Sequence, residues 1–229
     1  MRSLLRILCP DWVCVPLTIA SVLVVSNLVL TYRAGAATAP SSYALSGDRQ
    51  ASGPIGFWVD ERFSLPEISA IRAGFATWQR DPASDVTFVF MGTTPTPDRA
   101  VEDGRNVVVR SARPVVVEAK TALAMTRRSV AEGTSVYRDA DVVIDFSGGV
   151  PWSLDGVARA QDLQSVVTHE VGHLLGLDHV TDPSQVMYPI NARGRVDRRE
   201  LRWGDRAAVA EVYPARTAAS GPGIGSRIQ

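Results

Sequence analysis

The stretch His169-Glu170-Val171-Gly172-His173-Leu174-Leu175-Gly176-Leu177-Asp178-His179 constrains this chain more than any other feature. On an α-helix each residue advances about 100°, so His169 and His173 differ by only about 40° and share one face. Two imidazoles so placed can hold one metal ion. Glu170 lies about 60° to the side of His173, close enough to reach a metal-bound water without ligating the ion itself. His179 would sit about 240° away on a continuing helix, so it joins the other two only if the helix stops and the chain turns back. Gly176 lies where that turn is needed, because glycine adopts positive φ without steric cost. Three histidines with one open position is the expected coordination of catalytic zinc, whereas structural zinc is closed by four protein ligands.

A bare H-E-x-x-H arises by chance often enough to leave an accidental or degenerate site as the alternative. Against accident stand the glycine, the third histidine at the required spacing, and a count of three histidines in 229 residues, all of them here. Met187 follows in Gln185-Val186-Met187-Tyr188-Pro189. A methionine before a turn at this distance would place a soft apolar side chain beneath the histidine cage. Elsewhere the same residue would read as ordinary core. The Tyr188 hydroxyl stands one residue after the methionine and is read as structural, and Asp178 and Asp182 as orienting the loop.

Around this segment the pattern predicts a single α+β domain. Gly56–Asp60 is a strand candidate, and Ser64-Leu65-Pro66-Glu67 has capping-box spacing. Ile68, Ile71, Phe75 and Trp78 then continue at helical spacing to about residue 80. Val86–Met91, Asn106–Val109, Thr121–Thr126 and Asp139–Phe146 are β-rich runs separated by turn formers. A second helix is expected over about 162–175, capped by Asp162 and stopped by Gly176, and a third over about 203–213. The expectation is a twisted mixed sheet of about five strands, two long helices and a C-terminal helix.

The amino terminus is different in kind. Arg2 and Arg6 precede an apolar run from about Val13 to Leu30, and Ala34-Gly35-Ala36 has the pattern of a signal peptidase site. Residues 1–36 therefore read as a cleaved signal peptide or as an uncleaved membrane anchor, and both place the remainder outside the cytoplasm. Cys9 and Cys14 fall in this segment, so the exported part has neither a disulfide nor a thiol nucleophile. Residues 37–54 read as a linker, 55–214 as the catalytic domain and 215–229 as a flexible tail. With 24 basic and 24 acidic residues and no basic run, nothing points to nucleic acid as a partner.

HEVGHLLGLDHVTDPSQVMYP as a whole resembles the matrixins, the branch of the metzincins that includes the matrix metalloproteinases, whose Met-turn matches Met187. Weaker likeness covers about 55–214. There Leu123-Ala124 resembles the edge strand bordering the cleft, Asp141 to Trp152 the next strand, and Gly204-Asp205 to Tyr213 the C-terminal helix. The resemblance implies one catalytic zinc on His169, His173 and His179, Glu170 as base, and Gly176 and Met187 supporting the site. It also implies Pro189, Ile190 and Asn191 in the wall of the main specificity pocket, a protein or peptide substrate, and a monomer that meets a membrane only through an uncleaved amino terminus. An extended substrate would add itself as a strand beside Thr121–Thr126, which suits internal peptide bonds. The chain departs from the family at several points. All histidines are committed, so a second, structural zinc has no histidine ligands left, and Met125 stands where its edge-strand ligand would fall. Calcium has no support in the sparse carboxylates of Asp145 to Asp155. Val180 replaces a small hydroxyl residue, and 37–54 is too short for the family's propeptide and lacks its inhibitory cysteine. Two other readings stay open: a zinc peptidase of exopeptidase or self-processing habit, and a non-catalytic exported binding domain, which would have no use for Glu170.

Overall fold

In the computed structural model residues 43–216 are described. The expected export segment 1–36, its two cysteines and residues 217–229 of the expected tail lie outside the described residues. Among the described residues no helix is long and apolar enough to cross a membrane.

The central sheet contains β2 (Ile55–Asp60), β3 (Phe88–Thr94), β4 (Asn106–Ser111), β7 (Ala124–Val130) and β8 (Tyr137–Asp145), in the order β3-β2-β4-β8-β7. The first four strands in that order run parallel, and β7 closes one edge antiparallel to β8. Parallel strands need both faces covered, which explains why β8 is buried along almost its whole length instead of alternating. Val59, Val108, Val142 and Ile144 face the helices. Val107, Val109 and Val143 pack on the other face under Ala100 and Val115.

Helix α1 (Leu65–Gln79) begins at the Ser64–Glu67 capping box, with Glu67 accepting from the Ser64 backbone N–H at 2.7 Å. Its buried stripe Ile71, Phe75 and Trp78 meets Val167 and Val171 of α2 (Leu163–Leu175), and Phe57 stacks on Phe75 at 3.8 Å between ring centroids. Gly74 lets the two helices touch: a Cβ there would come within 2.7 Å of Val167 Cγ1. Helix α3 (Trp203–Val212) adds Ala208 and Val209 to the same core.

Four expectations are corrected. The run Thr121–Thr126 is not one strand. Lys120–Ala122 (β6) pairs with Val115–Val117 (β5) in a hairpin, and the sheet edge starts only at Ala124. The hairpin turn holds Glu118 and Ala119 at positive φ, 49° and 62°, without the Gly or Asn that usually marks such a turn. The strand expected at Val86–Met91 starts and ends later, at Phe88–Thr94. The likeness of Asp141 to Trp152 to one strand fails at Ser147-Gly148-Gly149. There the chain leaves the sheet, and Trp152–Ser153 (β9) pairs instead with Gln161–Asp162 (β10).

The expected linker 37–54 is bound to the domain from Ala44 onward. Ala44–Leu45 (β1) pairs antiparallel with Leu177–Asp178 (β11) just past the end of α2. Ser46 N–H donates to Gly176 O at 2.9 Å, and Tyr137 N–H to Arg49 O at 2.7 Å. The Tyr213 hydroxyl accepts from Gln50 N–H at 2.9 Å and donates to Leu175 O at 3.0 Å. This strap crosses so close that a Cβ on Gly176, whose φ is 100°, would stand 2.2 Å from Asp48 O. Gly176→Ala therefore meets two penalties, left-handed strain and displacement of the strap. It should lower stability by at least about 2 kcal/mol in urea unfolding; a loss below half of that would show the turn to be compliant.

Asp141, on β8, accepts from Val101 and Val107 N–H at 2.8 Å each and has no cationic partner among the described residues. Burial raises its pKa from 3.8 to about 7. The folded chain thus keeps a proton that the unfolded chain releases above about pH 4. Its contribution is full below the unfolded pKa and is lost as pH rises towards 7. Melting of Asp141→Asn against wild type should show the variant gaining relative stability between pH 4 and 7. A difference independent of pH would contradict the assignment.

Candidate active site

Helix α2 carries the site because both its ends are fixed. At its start the Asp162 side chain accepts from Ser165 N–H at 2.8 Å, while Arg199 Nε donates to the same carboxylate at 3.0 Å. At its end Gly176 takes the left-handed conformation, and its N–H returns to His173 O at 3.0 Å. Two residues of β11 follow, and His179 arrives opposite His169 and His173. Val180 N–H donates to Met187 O at 3.1 Å, which ties this arm to the methionine turn.

The three rings converge on one point. His179 Nε2 lies 3.2 Å from His169 Nε2 and 3.1 Å from His173 Nε2. His169 Nδ1 is 2.8 Å from Val186 O, and His173 Nδ1 is 2.8 Å from Leu177 O. A carbonyl only accepts, so in both rings Nδ1 carries the proton and Nε2 presents its lone pair. Burial, the leading cause for each ring, lowers all three pKa values, that of His173 to about 4. The imidazoles are therefore neutral at pH 7, and His169 and His173 turn their Nε2 lone pairs towards the Nε2 atom of His179. A tetrahedral ion with nitrogen ligands at 2.0–2.1 Å would set its ligand atoms about 3.3 Å apart, close to what is seen. The donor set fits zinc.

Glu170 is buried beside them, 6% exposed. Thr126 Oγ1, on the edge strand, lies 2.7 Å from Glu170 Oε2 and 2.9 Å from Glu170 O. Burial raises the Glu170 pKa to about 7, opposed by the Thr126 hydrogen bond and by Arg128. Oε1 has no hydrogen-bond partner among the described residues.

Met187 is 1% exposed and packs under α2. Its sulfur fills the place a side chain at Gly172 would need, since a Cβ there would meet Met187 Sδ at 2.2 Å and Trp78 at 2.9 Å. Asp205, from α3, holds the turn by accepting from Val186 N–H at 3.0 Å and Met187 N–H at 3.3 Å. Gln185 Oε1 accepts in return from Gly204 and Asp205 N–H at 3.1 and 3.2 Å. Tyr188 offers its carbonyl to Arg198 Nη1 at 2.7 Å. Asp178 pairs with Arg128 at 3.6 Å, and Asp182 accepts from Ser184 N–H at 2.9 Å.

A cleft of about 550 Å³ opens over the rings. The histidines, Glu170, Leu123, Ala124, Pro189, Ile190 and Asn191 all border it. Sequence reasoning missed Thr126, Arg128, Gln161, Gly172, Arg198 and Asp205. Only Gly172 carried a local signal, as a small residue inside a helix run. The others act across long separations in the chain, invisible to spacing.

A family model described as Matrixin matches residues 68–214, well over half of the chain. Among similar curated proteins, metalloendoproteinase 1-MMP of Arabidopsis thaliana is 50% identical over 54 residues, 24% of this chain and 15% of that protein. Karilysin of Tannerella forsythia is 37% identical over 79 residues, 34% of this chain and 16% of its own. Human matrilysin is 32% identical over 87 residues, 38% of this chain and 31% of its own. The matched stretches thus span under a third of each of these relatives. With the family model over 68–214 and a five-stranded mixed sheet under its helices, the chain belongs to the matrixin family.

Proposed function

We propose that this chain is an exported zinc-dependent endopeptidase. The observation that carries the reading is the set of three neutral imidazoles whose Nε2 atoms converge beside the buried, half-free carboxylate of Glu170. His169, His173 and His179 would hold the ion. Zinc in such a cage supplies a Lewis acid that polarises a carbonyl and acidifies water.

The chain's own groups do the rest. Thr126 pins Oε2 of Glu170, so Oε1 is the atom that takes a proton from the attacking water and later gives it to the leaving amine. Giving that proton to the amine regenerates the carboxylate, so Glu170 is unchanged over the cycle. The substrate backbone lies along the unpaired outer edge of β7, pairing as an added strand from Ala124 on, with the β5–β6 hairpin at its flank. Main-chain pairing along a strand edge suits internal bonds of a protein or peptide, which favours endopeptidase over exopeptidase action. Residues 1–36 supply the export signal or the anchor, and the chain acts as a monomer. Calcium has no role in this reading.

The full-length chain should bind about one zinc per molecule and cleave a mixed peptide library. Glu170→Ala should keep the metal and lose at least about 10²-fold in kcat/KM. Zinc-loaded wild type that cuts nothing would instead favour a binding domain.

A further inference from the structure

One end of the cleft carries a charge that the catalytic reading does not use. Arg198 borders the cavity that holds Glu170 and the histidines, yet is only 7% exposed. Its Nη1 donates to Tyr188 O at 2.7 Å, and its guanidinium lies 5.4 Å from the Tyr188 ring centroid. No carboxylate comes within 4 Å of it among the described residues, whereas Arg62, Arg128 and Arg199 each have one. The acids nearest to it are committed elsewhere. Asp197 is held by Arg195 through two bonds of 2.7 and 2.8 Å. Asp205 accepts from the Val186, Met187 and Arg202 N–H groups. Burial is the main influence on Arg198 and opposes its charge. A desolvated guanidinium with one neutral acceptor is an incomplete arrangement, because buried cations are ordinarily paired.

Two amides complete this end of the cavity. Asn191 Nδ2 donates to Gln161 Oε1 at 3.1 Å, and Asn191 Oδ1 is buried without a partner. A half-turn of both amides preserves the bond with its direction reversed, and puts Asn191 Nδ2 where the unpartnered oxygen stood. A planar acceptor entering this cavity would then find both a guanidinium and an amide N–H among the groups that line it. That is the donor pattern for a carboxylate. Arg128, the other arginine of the cleft, stands beside His173 and is already paired with Asp178, so it does not duplicate the role.

We propose that Arg198, with Asn191 and Gln161, forms a subsite for an acidic substrate side chain next to the scissile bond. Arg198 is thus a specificity-determining residue and the preferred substrates carry glutamate or aspartate at that position. This rests on the peptidase reading for the words scissile bond, but the recognition itself is a binding event and can be tested without turnover.

The test uses the full-length, zinc-loaded Glu170→Ala protein and labelled ten-residue peptides. A single glutamate is walked along an uncharged sequence, with matched glutamine and leucine sets, and each peptide is made with a free and an amidated C-terminus. Fluorescence anisotropy should find one position at which glutamate binds at least about 10-fold more tightly than glutamine or leucine, whichever C-terminus is present. Adding Arg198→Met should bring that ratio close to one, and Arg198→Lys should restore part of it. Because each ratio is taken within one protein, a modest loss of stability in a variant does not blur it. Three results would overturn the proposal: glutamate no better than glutamine or leucine at every position, a preference that survives Arg198→Met, or a dependence on the free C-terminus, which would assign Arg198 to the chain end. Cleavage of the same peptides by wild type is scored separately, so failure to cut counts against the peptidase reading and leaves the binding comparison standing.

Discussion

At Gly176 the chain leaves α2 with φ at 100°, and within three residues His179 is back beside His169 and His173. A helix cannot present residues ten apart, with an intermediate at the fourth, to a single point. The turn is therefore what brings the third histidine to the other two. It also forms the seat of the 43–50 strap, whose backbone crosses where a side chain on Gly176 would lie. The strap in turn satisfies the Gly176 carbonyl at the helix end through Ser46. Ligand geometry and helix termination thus share one residue, and each restricts what the other can tolerate.

Around that turn the orientation of the rings is set by one local and one more distant backbone carbonyl. Val186 O and Leu177 O choose the tautomer of His169 and His173, and Thr126 chooses which Glu170 oxygen stays free. Val186 is itself held by Asp205 of α3. The C-terminal helix, which borders no part of the cleft, therefore acts on a ring through one carboxylate and one peptide unit. Beneath, Trp78 donates Nε1–H to Thr168 O at 2.8 Å and touches the space above Gly172 that Met187 occupies. Apolar packing and polar anchoring converge on the same turn of α2, leaving its histidines little freedom to reorganise.

Much of this was legible in the sequence, for reasons that differ by feature. The three helices and the central strands announce themselves through periodicity, because each must bury a face against the others. The convergence of the three histidines was legible because they are close in sequence and the glycine explains the geometry. The strap was not, since it docks through backbone hydrogen bonds and lies in a 37–54 segment whose Ala, Ser, Gly and Pro content mimics a free linker. The β5–β6 hairpin escaped because Glu118 and Ala119 adopt positive φ without the residues that normally do so. Thr126, Arg198 and Asp205 could not be found locally, since each meets its partner across ten to forty-four positions.

The treatment of charge differs between the two sides of the cleft. Several buried carboxylates are matched: Asp60 with Arg62, Asp162 with Arg199, and Asp205 with three backbone N–H groups. On the β7 side Arg128 is matched as well, by Asp178. Arg198, buried on the side formed by the segment after the methionine turn, has no carboxylate within 4 Å among the described residues. In the folded chain the guanidinium is compensated by one hydrogen bond to Tyr188 O and by the Tyr188 ring, with no opposite charge to offset its desolvation. An unpaired cation beside a cleft is favourable only when something that enters the cleft completes the pair, so the imbalance belongs to the bound state and not to the free one.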